Sequence, residues 1–265
     1  LAGRVRHVEM SPLLWMEIPG RRKVRLMDFW LRGGFPRSLL AASDETSFSW
    51  RTDYMAALLE RDLPLFGYRI PPATLRRLWT MVAHFQGDLL NLSKIASSLG
   101  CNHVTVRNHL DALARLYMVH ELPPLEANVK KRLIKTPKVY VRDPGLLHAL
   151  LDLETKDDLM GHPAFGASWE GLVVSHVRSC LPEWRSSFYR TSNGAEIDLV
   201  LERGRKRVAI ECKASSTPQV SRGFWTALDD LSIQHAWVVA PVEDSYPISD
   251  RVRVAPLHEA LASIT

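Results

Sequence analysis

The chain has 265 residues, 46% of them hydrophobic and 24% charged, with a formal net charge of +5 at neutral pH. That size accommodates one to three domains, and the composition is that of a globular protein, which excludes a disordered or fibrous chain. Three cysteines, an odd count in no metal-knuckle spacing, point to a reducing cytoplasm, and the lack of an 18-residue apolar run argues against an integral membrane function.

LAGRVRHVEM begins on Leu1 in mid-pattern, so the sequence reads as a fragment of a longer chain. Val5 to Met10 predicts a short strand, and Pro12 and Pro19 confine LLWMEI to at most a short helix. The basic run Arg21, Arg22, Lys23 and Arg25 is either a solvated face or a phosphate-facing patch. Val24 to Leu31 predicts a helix that stops at Gly33-Gly34, with Pro36 beyond. LRGGFP is no P-loop, because that motif needs Lys and Ser or Thr after its glycine-rich turn. No GxxxxGK[ST] occurs, so an ATPase active site is not complete within these residues. Ser49 to Leu63 predicts a helix with Tyr54, Leu58 and Leu59 on its apolar face, ended by Pro64. Asp62, beside Arg61, reads as structural.

Ala73 to Phe85 predicts a helix closed by Gly87. A short helix over Ser93 to Leu99 ends at Gly100, and another runs from near His103 to about Tyr117. Two helices joined by a tight turn containing Gly are the mark of a helix-turn-helix. Ile95, Ala96, Leu99, Val104, Val106, Leu110 and Leu113 supply its core spacing. Asn102, His103, Thr105, Arg107, Asn108 and His109 remain as polar residues at the start of the second helix, the part that enters the major groove in DNA-binding versions. VHELPP follows as the start of a wing.

Lys130, Lys131, Arg132, Lys135 and Lys138 crowd one short stretch, which either tracks phosphates or forms the wet side of a linker. Val139 to Val141 predicts a strand. Asp143-Pro144-Gly145 is a turn shaped by Asp143, and Leu146 to Leu151 is a helix. Asp152 to Met160 reads as an acidic loop and Gly166 to Cys180 as a helix with Glu170 in its first turn. Ser221 to Leu231 is a further helix, Ala236 to Ala240 a buried strand, Arg251 to Ala255 an edge strand, and the chain ends in a short helix.

Between these lies SSFYRTSNGAEIDLVLERGRKRVAIECKAS, read as two strands joined by a turn at Gly204-Arg205. Alternation puts Ile197, Leu199 and Leu201 on one face of the first strand and Glu196, Asp198, Val200 and Glu202 on the other. With Arg203 opposite Lys206 and no bulge, Asp198 stands opposite Glu211, with Lys213 beside them. Two adjacent carboxylates repel unless a cation or proton is shared between them. Mg²⁺ or Mn²⁺ at Asp198 and Glu211, with Lys213 orienting a water, would suit attack on phosphorus. The other reading is a hairpin solvated on its charged face, with Lys213 in a surface ion pair. Cys212 points to the core, and Gln219 and Arg222 are placed to face a substrate.

Taken in order, LAGRV, LRGGFP, YMAALLERDL, NLSKIASSLG with VTVRNHLDAL, NVKKRLIKTPKVYVRDPGLLHALL, SWEGLVV, YRTSNGAEIDLVLE and IECKAS span nearly the whole chain. They resemble the C-terminal region of bacterial and archaeal AAA-type ATPases. That resemblance implies a multidomain α/β protein, with a winged-helix segment followed by a domain of unknown function that looks like the PD-(D/E)XK nuclease superfamily. Residues 1–24 would end an ATP-binding module, with Arg4 reporting on its nucleotide. Residues 25–125 would form a helical region, with the winged helix-turn-helix over about 73–125, and residues 126–265 the nuclease-like domain on a mixed sheet. The resemblance adds Glu170 as the first-helix acid, Asp198 as the first-strand acid, and Glu211 and Lys213 as the acid and lysine of the second strand. It places ATP only at the upstream module. DNA or RNA, met through Asn102, His103, Thr105, Arg107, Asn108, Lys130, Lys131, Arg132 and Lys135, is the expected partner. The alternative is a non-catalytic regulatory or protein-interaction module of the ATPase.

Overall fold

The computed structural model describes residues 9–18, 24–126 and 131–264. The fold is mixed α/β. Most of the strand predicted over Val5 to Met10, most of the Arg21 run, Arg4 and Lys130 lie outside the described residues; Glu9 and Met10 are described and are not in a strand.

Helix α1 (Leu26–Arg32) ends at Gly33, where φ is +78°, and short α2 (Pro36–Leu39) follows. Helix α3 (Asp44–Ala57) starts earlier than the apolar spacing predicted. Ser43 caps it by accepting the Thr46 N–H at 3.1 Å, a polar signal that apolar periodicity does not contain. A wide turn, Leu58–Asp62, and the three-residue α4 (Leu63–Leu65) continue it. Asp62 pairs with Arg61, the structural role expected of it. Helices α5 (Pro72–His84), α6 (Leu92–Leu99) and α7 (His103–Arg115) come next. Strands β1 (Val119–Leu122) and β2 (Lys138–Val141) pair antiparallel. The boundary expected at residue 126 falls between these two partners. Of the predicted helix-turn-helix core, Val104 is 55% exposed, whereas Ile95, Val106, Leu110 and Leu113 are buried.

Helix α8 (Pro144–Leu150) begins at Asp143. Asp152 to Met160 is not all loop: α9 (Lys156–Gly161) is started by a capping box between Thr155 and Asp158. Helix α10 (Phe165–Cys180) then leads to β3 (Arg185–Arg190), β4 (Glu196–Arg203) and β5 (Lys206–Cys212). The stretch read as two strands therefore holds three. Helix α11 (Arg222–Asp230), β6 (Ala236–Val239), β7 (Tyr246–Pro247), β8 (Val252–Ala255) and α12 (Leu257–Ile264) complete the chain.

The sheet runs β3-β4-β5-β6-β8-β7, with β5, β6 and β8 parallel and the other pairings antiparallel. Strand β8 is thus interior, one place in from the expected edge. Both faces are covered. Leu199, Leu201, Ile210 and Cys212 join the large core that includes α10 and α12, while Val200, Ala209 and Val238 pack with Phe224 and Ala227 of α11. From Ile197 to Leu201 and from Ala209 to Cys212 the hairpin therefore has no solvated face, while its tip, Arg203 to Lys206, is exposed; its Val and Ile content is what two-sided burial requires. Trp169 of α10 donates to the Val239 carbonyl of β6 at 3.0 Å. The open edge of β3 is taken up by chain on both sides of the 127–130 stretch. Leu125 donates to Phe188 O at 2.7 Å and Ile134 to Arg190 O at 3.0 Å.

The larger of the two apolar clusters draws residues from Trp15 to Ile264. Asp143 is one reason that the first helices dock on it. Its buried carboxylate accepts Gly34 N–H at 2.8 Å and Leu146 N–H at 2.9 Å, so it caps α8 and holds the loop after α1 together. Asp143→Ala strands two buried donors, and a loss of about 2–4 kcal/mol is expected in denaturant unfolding, with Asp143→Asn costing less.

Candidate functional site

The β4–β5 register is the one the turn predicted, from Arg203 opposite Lys206 back to Leu199 opposite Ile210. There the ladder stops, one step short of Asp198 and Glu211. On its other side, β4 carries an extra residue: Ser187 pairs with Val200, but Tyr189 pairs with Ile197. This irregularity moves Ile197 to the α11 side with Val200, away from Leu199 and Leu201, against the simple alternation. Asp198 sits within it. Freed from the ladder, its Oδ2 accepts the Cys212 N–H at 2.9 Å.

Glu170, Asp198, Glu211 and Lys213 line one cleft of about 400 Å³, together with Lys138, Arg190 and Glu196. Glu170 arrives on the early part of α10, Asp198 at the irregularity in β4, and Glu211 and Lys213 at the end of β5. Lys138, Arg190 and Glu196 were not singled out for the site from sequence. Lys138 was counted only among the linker cations. Its signal was the alternation Lys-Val-Tyr-Val, which places Lys138 and Tyr140 on one face of β2.

Lys138 is only 3% exposed. Its Nζ lies 3.0 Å from Glu170 Oε1, 3.1 Å from Glu196 Oε1 and 3.6 Å from Asp198 Oδ1. Tyr140 donates its hydroxyl to Glu170 Oε1 at 2.6 Å. Lys213 donates to Glu211 Oε1 at 2.8 Å, while Glu211 Oε2 is buried with no hydrogen-bond partner. Arg190 reaches Glu196 at 3.4 Å.

Burial, and then the Asp198 charge, push the Glu211 carboxyl up to about 8 against the pull of Lys213. The same two causes push Glu170 up to about 7 against Lys138 and Tyr140. For Lys138 burial opposes the charge, but the surrounding carboxylates outweigh it and hold the ammonium firmly protonated. Burial raises the Cys212 thiol far above its usual range, in line with its place in the core.

The donor set of Asp198 and Glu211 is hard oxygen, suited to Mg²⁺ or Mn²⁺ with water completing the shell. The orphan Glu211 Oε2 fits that use. Among the described residues, however, no three His, Cys, Asp or Glu side chains are grouped to hold an ion.

The residues expected to meet nucleic acid are dispersed and partly engaged. Asn102 caps α7 by accepting Thr105 N–H at 2.8 Å. Arg107 is tied to Asp111 and Glu121, and Lys131 to Asp230. His103, Asn108, Arg132 and Lys135 are exposed, and Thr105 is half-buried. No helix among the described residues is long and apolar enough to cross a membrane.

Two family models match: Domain of unknown function (DUF8612) over residues 23–157, and Domain of unknown function (DUF4143) over residues 165–260. The chain is 41% identical over 263 residues to the uncharacterized proteins Mb2031c of Mycobacterium bovis and Rv2008c of Mycobacterium tuberculosis. The alignment covers 99% of this chain and 59% of each relative, so the chain spans less than two thirds of their length. No solved structure matches it significantly.

A carboxyl whose folded pKa is raised stabilises the fold fully below its unfolded value and loses that contribution as pH rises through the folded value. For Glu211 the window runs from about 4.5 to about 8. Denaturant unfolding across that window is expected to show stability falling with pH. Glu211→Gln should flatten the fall by on the order of 2–4 kcal/mol; parallel profiles for the two proteins would contradict the assignment.

Proposed function

The chain belongs to the DUF8612 family, and on that footing we propose that it is the nucleic-acid-directed C-terminal part of an AAA-type ATPase, carrying a divalent-metal phosphodiesterase site. DUF4143 is commonly found with AAA-type ATPases, which supports the first half of the reading. ATP would bind only in an upstream module. The second half rests on one observation: Glu170, Asp198, Glu211 and Lys213 meet in one cleft, and a buried carboxylate oxygen of Glu211 has no partner there.

In this reading α5, α6 and α7 with β1 and β2 form a winged helix-turn-helix, and the mixed sheet with α10 and α11 is a PD-(D/E)XK-like domain. The order supports it: three helices, the last two joined at Gly100, then a two-stranded sheet. Asp198 and Glu211 would hold Mg²⁺ or Mn²⁺, which when bound supplies Lewis acidity and a water of lowered pKa. Lys213 sets the position of Glu211 and offers its ammonium to charge developing on a phosphate. Glu170, with a pKa near neutrality, is poised to take or return a proton. Arg132 and Lys135, exposed on the segment that runs along β3, would supply phosphate contacts.

A second reading, a regulatory or protein-interaction module of the ATPase, draws on a different observation. The acids surround an internal ammonium, and among the described residues no three-ligand group exists.

Calorimetry with Mn²⁺ and incubation with labelled DNA and RNA separate the two. Metal binding by the wild type is expected, with Asp198→Ala weakening it at least about tenfold. Lys213→Ala should keep the metal and lose about 10²–10³-fold in cleavage. No metal binding together with intact DNA and RNA would overturn the catalytic reading.

A further inference from the structure

Lys138 and the carboxylates around it come from different parts of the sequence. Lys138 lies on β2, inside the DUF8612 match, whereas Glu170, Glu196, Asp198 and Glu211 all lie inside the DUF4143 match. Among the described residues, Lys138 is thus the cation that one segment inserts into the acidic cluster of the other. The contacts are graded. Glu170 and Glu196 hold the ammonium at 3.0 and 3.1 Å, and Asp198 stands farther off at 3.6 Å. Glu211 is not among its partners. Glu211 is 5% exposed, pairs through Oε1 with Lys213, and keeps Oε2 unpartnered in the same cleft.

Four carboxylates in a cleft need positive charge nearby, or they repel. The geometry shares that task among Lys138, Arg190 at Glu196 and Lys213 at Glu211, and leaves part of it undone at Asp198, where Lys138 stands 3.6 Å off, and at the unpartnered Glu211 Oε2. We propose that Lys138 is a tethered counter-cation that keeps the acidic cleft assembled without metal and competes with a divalent ion for Asp198. This rests on the reading of Asp198 and Glu211 as metal ligands. It makes Lys138 the residue that sets how tightly the cleft takes a divalent cation. Two cations close to one carboxylate repel each other, so an ion entering at Asp198 must do so against the fixed ammonium. The anchoring by Glu170 and Glu196 keeps Lys138 from leaving. The site is then expected to bind its metal weakly and to fold well without it.

The test compares the wild type, Lys138→Met and Lys138→Met/Glu196→Gln as the full chain. Thermal melts are taken in chelator and in Mg²⁺ or Mn²⁺, and Mn²⁺ affinity is measured by calorimetry. Removing one partner of a buried ion cluster leaves uncompensated charge, so Lys138→Met should melt lower in chelator. It should regain more of its Tm on adding metal than the wild type gains. The double variant, which removes a carboxylate along with the ammonium, restores some charge balance and keeps the test available if the single variant does not fold. Either variant should bind Mn²⁺ about tenfold or more tightly than the wild type. Wild-type and Lys138→Met proteins with equal Mn²⁺ affinity and equal metal-induced shifts would overturn the role of Lys138 and leave the metal site standing. Absence of binding in wild type and both variants would remove the metal reading itself, and this inference with it.

Discussion

Lys138 carries its ammonium into the interior, where an unpaired charge would cost several kcal/mol even after the surroundings relax. Its contacts with Glu170, Glu196 and Asp198 offset that cost, and meeting them constrains three separate pieces of chain. Strand β2 must lie against the early turns of α10. The start of β4 must reach the same point from across the sheet. Strand β2 is also tied to the loop after α5, through Gly87 N–H to Val139 O at 2.9 Å and Leu90 N–H to Pro137 O at 2.8 Å. Tyr140 then stacks on His120 of β1 and reaches Glu170 with its hydroxyl. The positions of α5, β1 and β2 and of the sheet are therefore set against each other by polar contacts as well as by the shared apolar core.

The cleft also follows from how the sheet changes character. Strands β3, β4 and β5 run antiparallel, and β5, β6 and β8 run parallel. Where β4 leaves the ladder at Leu199, the backbone of β5 continues and pairs only with β6. Asp198 fills the gap with its carboxylate. Glu211 and Lys213 stand at the carboxyl end of β5, the end at which open sheets with parallel strands commonly gather ligands. The irregularity in β4 is thus what turns a plain strand position into a side chain aimed at the cleft.

Much of this could be read beforehand, and the exceptions share a cause. The β4–β5 hairpin was legible because Gly204 fixes the turn, with φ at +60°, and the turn fixes the register. Helices α6 and α7 were legible because their buried residues repeat at helical spacing and Gly100 marks the break. Strand β3 was not, because SSFYR is short and its pairing with the neighbouring β4 shifts register between Ser187 and Tyr189. Helix α9 was missed because its acids look like a loop until Thr155 and Asp158 are seen to cap one another. Ile197 was put on the wrong face because an inserted residue leaves no trace in a period-two pattern. Lys138 was the deepest omission. A lysine in a basic stretch reads as solvated, and only the fold brings the three acids that bury it.

Strand β3 would be the bare margin of the sheet were it not for residues 123–125 and 132–134, which hydrogen-bond along it at Phe188 and Arg190. These covering segments precede the gap between the two family matches, at residues 158–164. A piece of chain cut at residue 165 would keep every strand of the six-stranded sheet and lose the cover. Its exposed margin would offer free N–H and C=O groups to the same margin of another copy, the usual route to runaway strand pairing. The stretch that sequence comparison marks out therefore leans on residues outside it to close its sheet. Moved to a new context on its own, it would carry a bare β3 margin unless other chain served as the sheath.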